Sequence, residues 1–198
     1  MDIVLATHNN DKVTEFQTYL NPFGVTLISA KSLDVPEPEE SGRTFQENAI
    51  LKAVNTFDHT GKPALADDSG LSVKAIGGQP GIYSARWAGP DKDFGMAMRK
   101  LKDMMGNSED KSASFICVLA YAVSNSRVFT YEGRVKGRIV WPPRGDKGFG
   151  YDPVFVPDDG DGRSFGEMTL EEKGKFSHRA LAIRQFCDDI FSQKKDYG

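Results

Sequence analysis

Residues 63–73 read Pro-Ala-Leu-Ala-Asp-Asp-Ser-Gly-Leu-Ser-Val and hold the strongest clue to the architecture. The first four residues predict a short buried strand that runs directly into Asp67, Asp68, Ser69 and Gly70. Two adjacent carboxylates at the end of a buried run are costly unless hydrogen bonds, a metal ion or solvent compensates them. An Asx turn at Asp68 and Ser69 before the glycine accounts for the same residues equally well. The local pattern therefore leaves two interpretations open, a turn and a polar site.

The chain before this stretch begins with a strand and a helix. Residues 3–6 form a short apolar run that predicts a strand, and residues 7–12 form a polar loop. Val13, Phe16 and Leu20 then recur at helical spacing. This order, strand then loop then helix, is typical of an α/β protein.

A second strand and a second helix follow. The strand is predicted over residues 25–28, and the acidic loop after it, residues 35–42, contains prolines and a glycine that exclude regular structure. Thr44 and Glu47 have the spacing of a capping box and precede a helical stripe of apolar residues. We therefore expect a helix that starts near Thr44.

The second half of the chain adds another helix, a pair of long strands and a terminal helix. We predict a helix over residues 93–105 and an antiparallel pair formed by residues 112–123 and 128–140. A short strand is predicted at residues 154–156, and the last helix is expected to start at Ser177.

Composition excludes several classes of protein. The 198 residues carry 25 basic and 28 acidic side chains, so the chain lacks the positive field that non-specific nucleic-acid binding requires. Its apolar runs are far shorter than the ~20 residues that span a bilayer. Cys117 and Cys187 have no CxxC spacing and are expected to be inert core thiols. With Asp2 and a strand-like run at the start instead of a basic segment, we expect a cytoplasmic protein.

The loop of residues 7–12 is a candidate phosphate site. It lies between a predicted strand and a predicted helix, where α/β folds offer backbone N–H groups and a helix dipole to anions. The glycines of a Walker A loop are absent. Taken alone, the segment is better interpreted as an ordinary polar connection.

Two carboxylates on the acidic loop are candidate metal ligands. Glu39 and Glu40 carry hard oxygen atoms of the kind that Mg²⁺ prefers, and Asp67 and Asp68 carry more. Without those aspartates, the loop would be interpreted as a solvated acidic segment.

Two later segments have the residues of a base-binding site. Residues 145–152 place glycines around Phe149, whose ring has the shape to stack on a nucleobase. Taken alone, the segment is better explained as a tight loop with Phe149 and Tyr151 packed into the core. Residues 177–179, Ser-His-Arg, open the last helix, where helix capping is the simpler explanation.

Together these segments resemble one family. The sequence closely resembles the noncanonical purine nucleoside triphosphate pyrophosphatases, also called inosine triphosphate pyrophosphatase-like proteins. The matching stretches run in family order and cover nearly the whole chain: residues 6–12, 39–53, 66–71, 80–86, 148–153, 171–173 and 177–179. One such motif is weak evidence, but all of them in order are highly specific.

The resemblance implies a fold and a reaction. The fold is α/β, an elongated central mixed sheet flanked by helices, with two lobes and a nucleotide cleft between them. Residues 1–198 would form one such domain, with a frayed tail at 194–198, and two copies would form a homodimer. The reaction is hydrolysis of ITP, dITP or XTP to the monophosphate and pyrophosphate, which removes deaminated purines from the nucleotide pool. The family uses Mg²⁺, for which Mn²⁺ is a possible substitute.

The resemblance also implies roles for individual residues. Asp68 would be the proton acceptor for the attacking water and, with Glu39, a metal ligand, while Asp67 would be a helper. Further residues would bind the substrate: on the phosphate side Thr7, His8, Asn9, Asn10, Asp11, Lys12, Lys52, Ser69 and Lys173, and on the base side Phe149, Gly150, Tyr151, Asp152, His178 and Arg179. Phe149 would stack on the base, Asp152 would accept from its N–H edge, and His178 and Arg179 would donate to a 6-oxo group.

The chain departs from the family pattern at His8 and Asp11, where small residues are usual. A carboxylate at Asp11 suits a polyphosphate site only if it points away. Two other activities stay open: a related pyrophosphatase for other modified or pyrimidine nucleotides, and a nucleotide-binding regulator without turnover. A nucleic-acid-binding module is opposed by the charge balance, and membrane binding by the short apolar runs.

Overall fold

The computed structural model describes residues 1–192, apart from the side chains of Asn10 and Asp11. Within that range the chain forms six strands: β1 (Asp2–Leu5), β2 (Thr26–Ser29), β3 (Ala64–Val73), β4 (Ser112–Ser124), β5 (Arg127–Ile139) and β6 (Phe155–Pro157). It also forms five α-helices: α1 (Asn10–Leu20), α2 (Phe45–Thr60), α3 (Phe94–Met105), α4 (Leu170–Gly174) and α5 (His178–Phe191). The tail predicted at 194–198 lies outside the described residues.

The strands form one mixed sheet in the order β2-β1-β3-β4-β5-β6. Strand β1 runs parallel to β2 and to β3, whereas β5 and β6 are antiparallel. A two-residue turn joins the neighbouring strands β4 and β5, which therefore form the predicted hairpin. The predicted α/β class with a mixed sheet is confirmed.

None of the described helices is long and apolar enough to cross a bilayer.

Strand β3 differs from its predicted length. The strand does not end at Ala66 but continues through Asp67 and Asp68 to Val73, so the interpretation of these aspartates as a turn is wrong. Apolar residues on both sides of the pair are buried, which favours one continuous strand across it. The carboxylates are therefore inside the sheet and not on a loop that follows it.

The first residues of helices α1 and α2 set where the loops before them end. Helix α2 begins after Thr44, whose Oγ1 accepts a hydrogen bond from the Glu47 N–H at 3.1 Å, as predicted. Helix α1 begins at Asn10, so the predicted polar loop ends earlier than expected and Lys12 lies in the first helical turn.

The chain divides into two compact units. The first contains residues 1–68, residues 117–133 and the described residues from Arg179 onwards, and its core is built by β1, α1 and α5 around residues such as Phe16 and Phe186. The buried thiols Cys117 and Cys187 belong to this core, as predicted, and burial raises the pKa of Cys187 to about 12.

The second unit contains residues 69–116 and 134–178. Its core holds a group of rings in which Phe115 lies 4.7 Å from Phe155 and 5.8 Å from Phe165, measured between ring centroids. Such contacts between rings add to the free energy of apolar burial.

Candidate active site

Strand β3 presents Asp67 and Asp68 side by side, and each carboxylate has its own partners. Successive side chains of a strand point to opposite faces, so neighbouring aspartates meet different neighbours. Lys12 Nζ lies 3.0 Å from Asp67 Oδ1, whereas Lys52 Nζ lies 3.0 Å from Asp68 Oδ1. The whole residues are only 2% and 7% exposed, so each carboxylate depends on its ammonium group.

Asp67 belongs to a group of four buried or half-buried charges in the first unit. Arg179 donates to Asp67 Oδ2 at 3.4 Å and to Glu15 Oε2 at 2.5 Å. The group contains two acids and two bases, supplied by α1, β3 and α5. Burial opposes ionisation of Asp67, but Lys12, Arg179 and Lys52 together hold its pKa well below the usual range. Asp67 is therefore favoured in its ionised form, which pairs with Lys12 and Arg179.

Asp68 has a different electrostatic environment. Burial and the nearby negative charge of Glu40 raise its pKa, and the attraction of Lys52 compensates only in part. Lys52 Nζ donates to Glu40 Oε1 at 2.8 Å as well as to Asp68, so the two carboxylates face the same ammonium group. A carboxylate with a raised pKa accepts a proton more readily near neutral pH than an ordinary aspartate does. Asp68 is thus suited to be the general base.

Helix α2 supplies a further contact to Asp68. Asn48 Nδ2 donates to Asp68 Oδ2 at 3.3 Å, and Asn48 Oδ1 accepts from the Gly42 N–H at 2.8 Å. Asn48 precedes Lys52 by four residues, so both side chains lie on one face of α2. This face holds the second aspartate in place.

The carboxylates near Lys52 are suitable ligands for a divalent cation. Asp68 and Glu40 offer hard oxygen atoms that converge on one positive group, which is the chemistry that Mg²⁺ selects. Glu39, the ligand that the resemblance implies, is exposed on the same loop. Among the described residues no group of three His, Cys, Asp or Glu side chains is arranged as a complete metal site. Water or substrate oxygens would have to complete the coordination, as is common for Mg²⁺.

The candidate phosphate loop is a short turn between β1 and α1. Thr7 Oγ1 accepts a hydrogen bond from the Asn9 N–H at 3.1 Å, which shapes the turn. His8 Nε2 lies 3.1 Å from the Val35 carbonyl, so the ring contacts the acidic loop. The structure does not describe the side chains of Asn10 and Asp11, so their predicted roles stay predictions.

In the second unit, Lys173 and Asp152 form a buried ion pair at 2.6 Å, with their side chains 4% and 3% exposed. Asp152 Oδ2 also accepts from the Phe149 N–H at 3.0 Å, and Lys173 Nζ lies 5.1 Å from the centroid of the Phe149 ring. The charge of Lys173 is buried and paired within the unit, and its predicted contact with a triphosphate stays a prediction. Both charged groups therefore hold the Phe149 loop.

Other residues predicted to contact a base are also committed to internal contacts. Tyr151 is buried and donates its hydroxyl to the Ser84 carbonyl at 2.9 Å, so its side chain is a core residue. The His178 ring stacks on Phe115 at 4.7 Å. The guanidinium of Arg179 is buried in the ion pairs described above, and its predicted contact with a purine stays a prediction.

Two more predicted residues are placed by the backbone. Ser69 follows Asp68 in β3 and is half-buried. Gly150 has a φ of +70°, in the left-handed region that favours glycine, and its neighbours leave it half-buried.

Sequence reasoning missed Glu15 and Asn48 and preferred Glu39 to Glu40. Helical spacing contains a usable signal, since Glu15 follows Lys12 by three residues and Asn48 precedes Lys52 by four. Side chains at these spacings are neighbours, so Glu15 and Asn48 could have been placed on the helix faces that carry the lysines. Their observed contacts, Glu15 with Arg179 and Asn48 with Asp68, are not contained in that local pattern.

The comparisons with known proteins settle the family. The model of the Ham1 family matches residues 3–189. The chain belongs to the Ham1 family. A relative from Gluconobacter oxydans (strain 621H), named dITP/XTP pyrophosphatase, is 48% identical over 197 residues, covering 98% of this chain and 94% of that protein. A relative of the same name from Zymomonas mobilis subsp. mobilis is 47% identical over 186 residues, covering 92% of this chain and 88% of the other.

Solved Ham1 structures have the same fold. The Ham1 protein of Staphylococcus aureus matches with a TM-score of 0.87 at 34% identity, covering 98% of this chain and all (100%) of the other. A nucleoside-triphosphatase / dITP/XTP pyrophosphatase from Mycobacterium abscessus matches with a TM-score of 0.75 at 39% identity, covering 94% and 98% of the two chains. Both matches extend over nearly the full length of this Ham1 chain.

The different electrostatic environments of the two aspartates predict unequal losses of stability when each is replaced by asparagine. Asp67→Asn should lower the free energy of unfolding at pH 7 by about 3 kcal/mol, because it leaves Lys12 and Arg179 with an uncompensated buried charge. Asp68→Asn should lower it by clearly less, because burial already disfavours the ionised form of Asp68 and Lys52 keeps Glu40 as a partner. Urea unfolding of both variants measures the difference.

The pH dependence of the free energy of unfolding provides a control for the effect of Asp67→Asn. A carboxyl with a lowered pKa in the folded state stabilises the fold above its unfolded pKa, and that contribution is lost as the pH falls through the folded pKa. The difference in the free energy of unfolding between wild type and Asp67→Asn should therefore become smaller in strong acid. Equal losses for both aspartates at neutral pH would contradict the assignment.

Proposed function

We propose that this protein hydrolyses noncanonical purine nucleoside triphosphates, with ITP, dITP and XTP as substrates, to the monophosphate and pyrophosphate. The observation that carries the proposal is the pair of buried aspartates on β3, each with its own lysine. The names of the relatives support the substrate class, since those proteins are dITP/XTP pyrophosphatases. Removal of deaminated purine nucleotides would be the biological role.

The lysines are suited to stabilise the departing pyrophosphate. A triphosphate carries close to four negative charges, and more charge develops on the leaving group as the bond to the α-phosphorus breaks. Lys12 and Lys52 approach β3 near the phosphate loop, and both are held by carboxylates before substrate arrives. Groups that are already oriented stabilise a transition state without reorganisation.

Asp68 is the proposed base for the attacking water. The water oxygen forms a bond to the α-phosphorus, the bond from that phosphorus to the bridging oxygen breaks, and pyrophosphate leaves with the bonding electrons. Asp68 accepts the proton that the water gives up. Its raised pKa favours this transfer, and Asn48 keeps one carboxylate oxygen oriented.

Mg²⁺ is the proposed cofactor, and Mn²⁺ can replace it. Asp68 and Glu39 are the ligands that the family resemblance implies, and the contact between Glu40 and Lys52 supports Glu40 as a further candidate. The cation, when bound, would offset negative charge on phosphate oxygens and so make the phosphorus more electrophilic.

Base selection is proposed to depend on Phe149, Asp152, His178 and Arg179. Phe149 would stack on the purine, with its loop held by the ion pair beneath it. A 6-oxo group accepts hydrogen bonds where the amino group of adenine donates, so a fixed donor discriminates between them. Arg179 would have to exchange a present partner, Glu15 or Asp67, to become that donor.

The assembly and the compartment are proposed from the resemblance and the composition. Two copies would form a homodimer in the cytoplasm, and the buried unpaired thiols suit a reducing compartment.

The products and the base preference test the proposed reaction. Purified protein should release pyrophosphate, not orthophosphate, and should act on ITP or XTP at least tenfold faster than on ATP, a difference of about 1.4 kcal/mol from one mismatch between donor and acceptor. Product analysis by ion chromatography and a panel of nucleotides, including GTP and pyrimidine triphosphates, measures both. Orthophosphate as the first product would exclude attack at the α-phosphorus.

Substitution of each aspartate tests the assignment of the base. Asp68→Asn should lower kcat by about 10²- to 10⁴-fold, because the amide keeps the shape of the side chain and loses its basicity. Asp67→Asn should lower kcat clearly less, in assays below the melting temperature of each variant. The reverse order, with both variants folded, would move the base to Asp67.

Removal of the metal tests the cofactor. EDTA should abolish hydrolysis, and added Mg²⁺ or Mn²⁺ should restore it, because the proposed ligands are all carboxylate oxygens. A comparison of Glu39→Gln with Glu40→Gln then identifies the ligand, since its loss raises the Mg²⁺ concentration for half-maximal rate. Full turnover in EDTA would overturn the metal requirement.

A further inference from the structure

His8 connects two loops of the first unit that lead to different aspartates. Its Nε2 atom lies 3.1 Å from the carbonyl oxygen of Val35, and its Nδ1 atom lies 3.8 Å from Glu37 Oε1. The ring is half-buried, with the side chain 33% exposed. The Nε2 atom is therefore engaged with the backbone of the acidic segment.

The acceptor of this contact is firmly placed. Val35 is 4% exposed and packs with Val4 and Ala30, and its own N–H donates to the Ala30 carbonyl at 3.1 Å. The chain after Val35 is the acidic segment, defined here as residues 35–42. A bond to Val35 thus fixes the point from which the acidic segment starts.

Helix α2 holds the acidic segment at later positions. Asn55 donates to the Pro36 carbonyl at 3.1 Å, Lys52 pairs with Glu40, and the Gly42 N–H donates to Asn48. All of these contacts come from one helix. His8 adds a contact from the turn between β1 and α1, and that turn leads to Lys12 and Asp67.

We propose that His8 is a positioning residue that links this turn to the acidic segment and so sets the metal affinity of the site. Through His8, the part of the chain that carries Lys12 to Asp67 is attached to the part that carries the exposed Glu39 and also Glu40, which shares Lys52 with Asp68. The ring supports the ligands of the cation and does not contact the substrate. This inference rests on the proposed function only where it concerns catalysis.

The experiment compares His8→Ala with His8→Gln in the full chain. Alanine removes the donor, whereas the glutamine amide carries an N–H that can replace Nε2. His59→Ala is the matched control, because His59 is an exposed histidine whose Nδ1 contacts the Asn55 carbonyl within α2, away from the β1–α1 turn. Hydrogen–deuterium exchange of residues 35–42 and calorimetric titration with Mn²⁺ alone are measured beside hydrolysis of ITP.

His8→Ala should speed exchange in the acidic segment about fivefold and should weaken Mn²⁺ binding by a similar factor, as the loss of one hydrogen bond predicts. The Mg²⁺ concentration for half-maximal rate should rise about fivefold, and kcat at saturating metal should fall by a smaller factor than that. His8→Gln should restore these values towards wild type, and His59→Ala should leave them unchanged.

Two outcomes would overturn the proposal. In one, His8→Ala raises only the KM for ITP and leaves exchange and Mn²⁺ affinity as in wild type, which would make His8 a substrate ligand. In the other, His8→Gln fails to restore a loss that His8→Ala causes. If the protein hydrolysed no nucleotide, exchange and Mn²⁺ titration would still decide the role of His8, and the proposed function alone would fail.

Discussion

Two negative charges in the middle of a buried strand need positive partners, and the candidate site is organised around that need. Isolated carboxylates with the burial of Asp67 and Asp68 would protonate or would destabilise the fold. Lys12 comes from α1 and Lys52 from α2, so the two helices that follow β1 and precede β3 each deliver one ammonium group to the strand. The same contacts therefore attach the two helices to β3 and compensate the charges of its aspartates.

The same residue type acquires two opposite properties at neighbouring positions. Lys12 and Arg179 lower the pKa of Asp67 despite its burial, whereas burial and the nearby charge of Glu40 raise the pKa of Asp68 and Lys52 offsets this only in part. Adjacent strand residues face different surroundings, so one carboxylate can hold cations while the other accepts a proton. Groups whose environments separate their pKa values in this way are the usual acids and bases of active sites.

A buried ion pair has a comparable supporting role in the second unit. Lys173 and Asp152 are almost fully buried, and together they contact the backbone and the ring of Phe149. Breaking such a pair leaves an uncompensated charge in the interior, so the pair resists change and fixes the loop. The ring is thereby held in one orientation without being part of the core.

The sequence by itself determined the class of fold and the family resemblance, and it singled out Asp67 and Asp68 as candidate site residues. Periodicity located α2 and α3 closely because capping and helical spacing are local signals, as the contact between Thr44 and Glu47 shows. Asp67 and Asp68 were conspicuous because carboxylates in an apolar run are rare.

Only the tertiary structure decided what those residues contact. Strand β3 runs through its two aspartates because cations from distant segments compensate them, and no local pattern contains that information. The same reason explains why the sequence did not predict the buried ion pairs of Lys173 and Arg179. Arg179 meets Glu15 across 164 positions of the chain, and a contact over that separation is set by how the elements pack and not by the residues beside it.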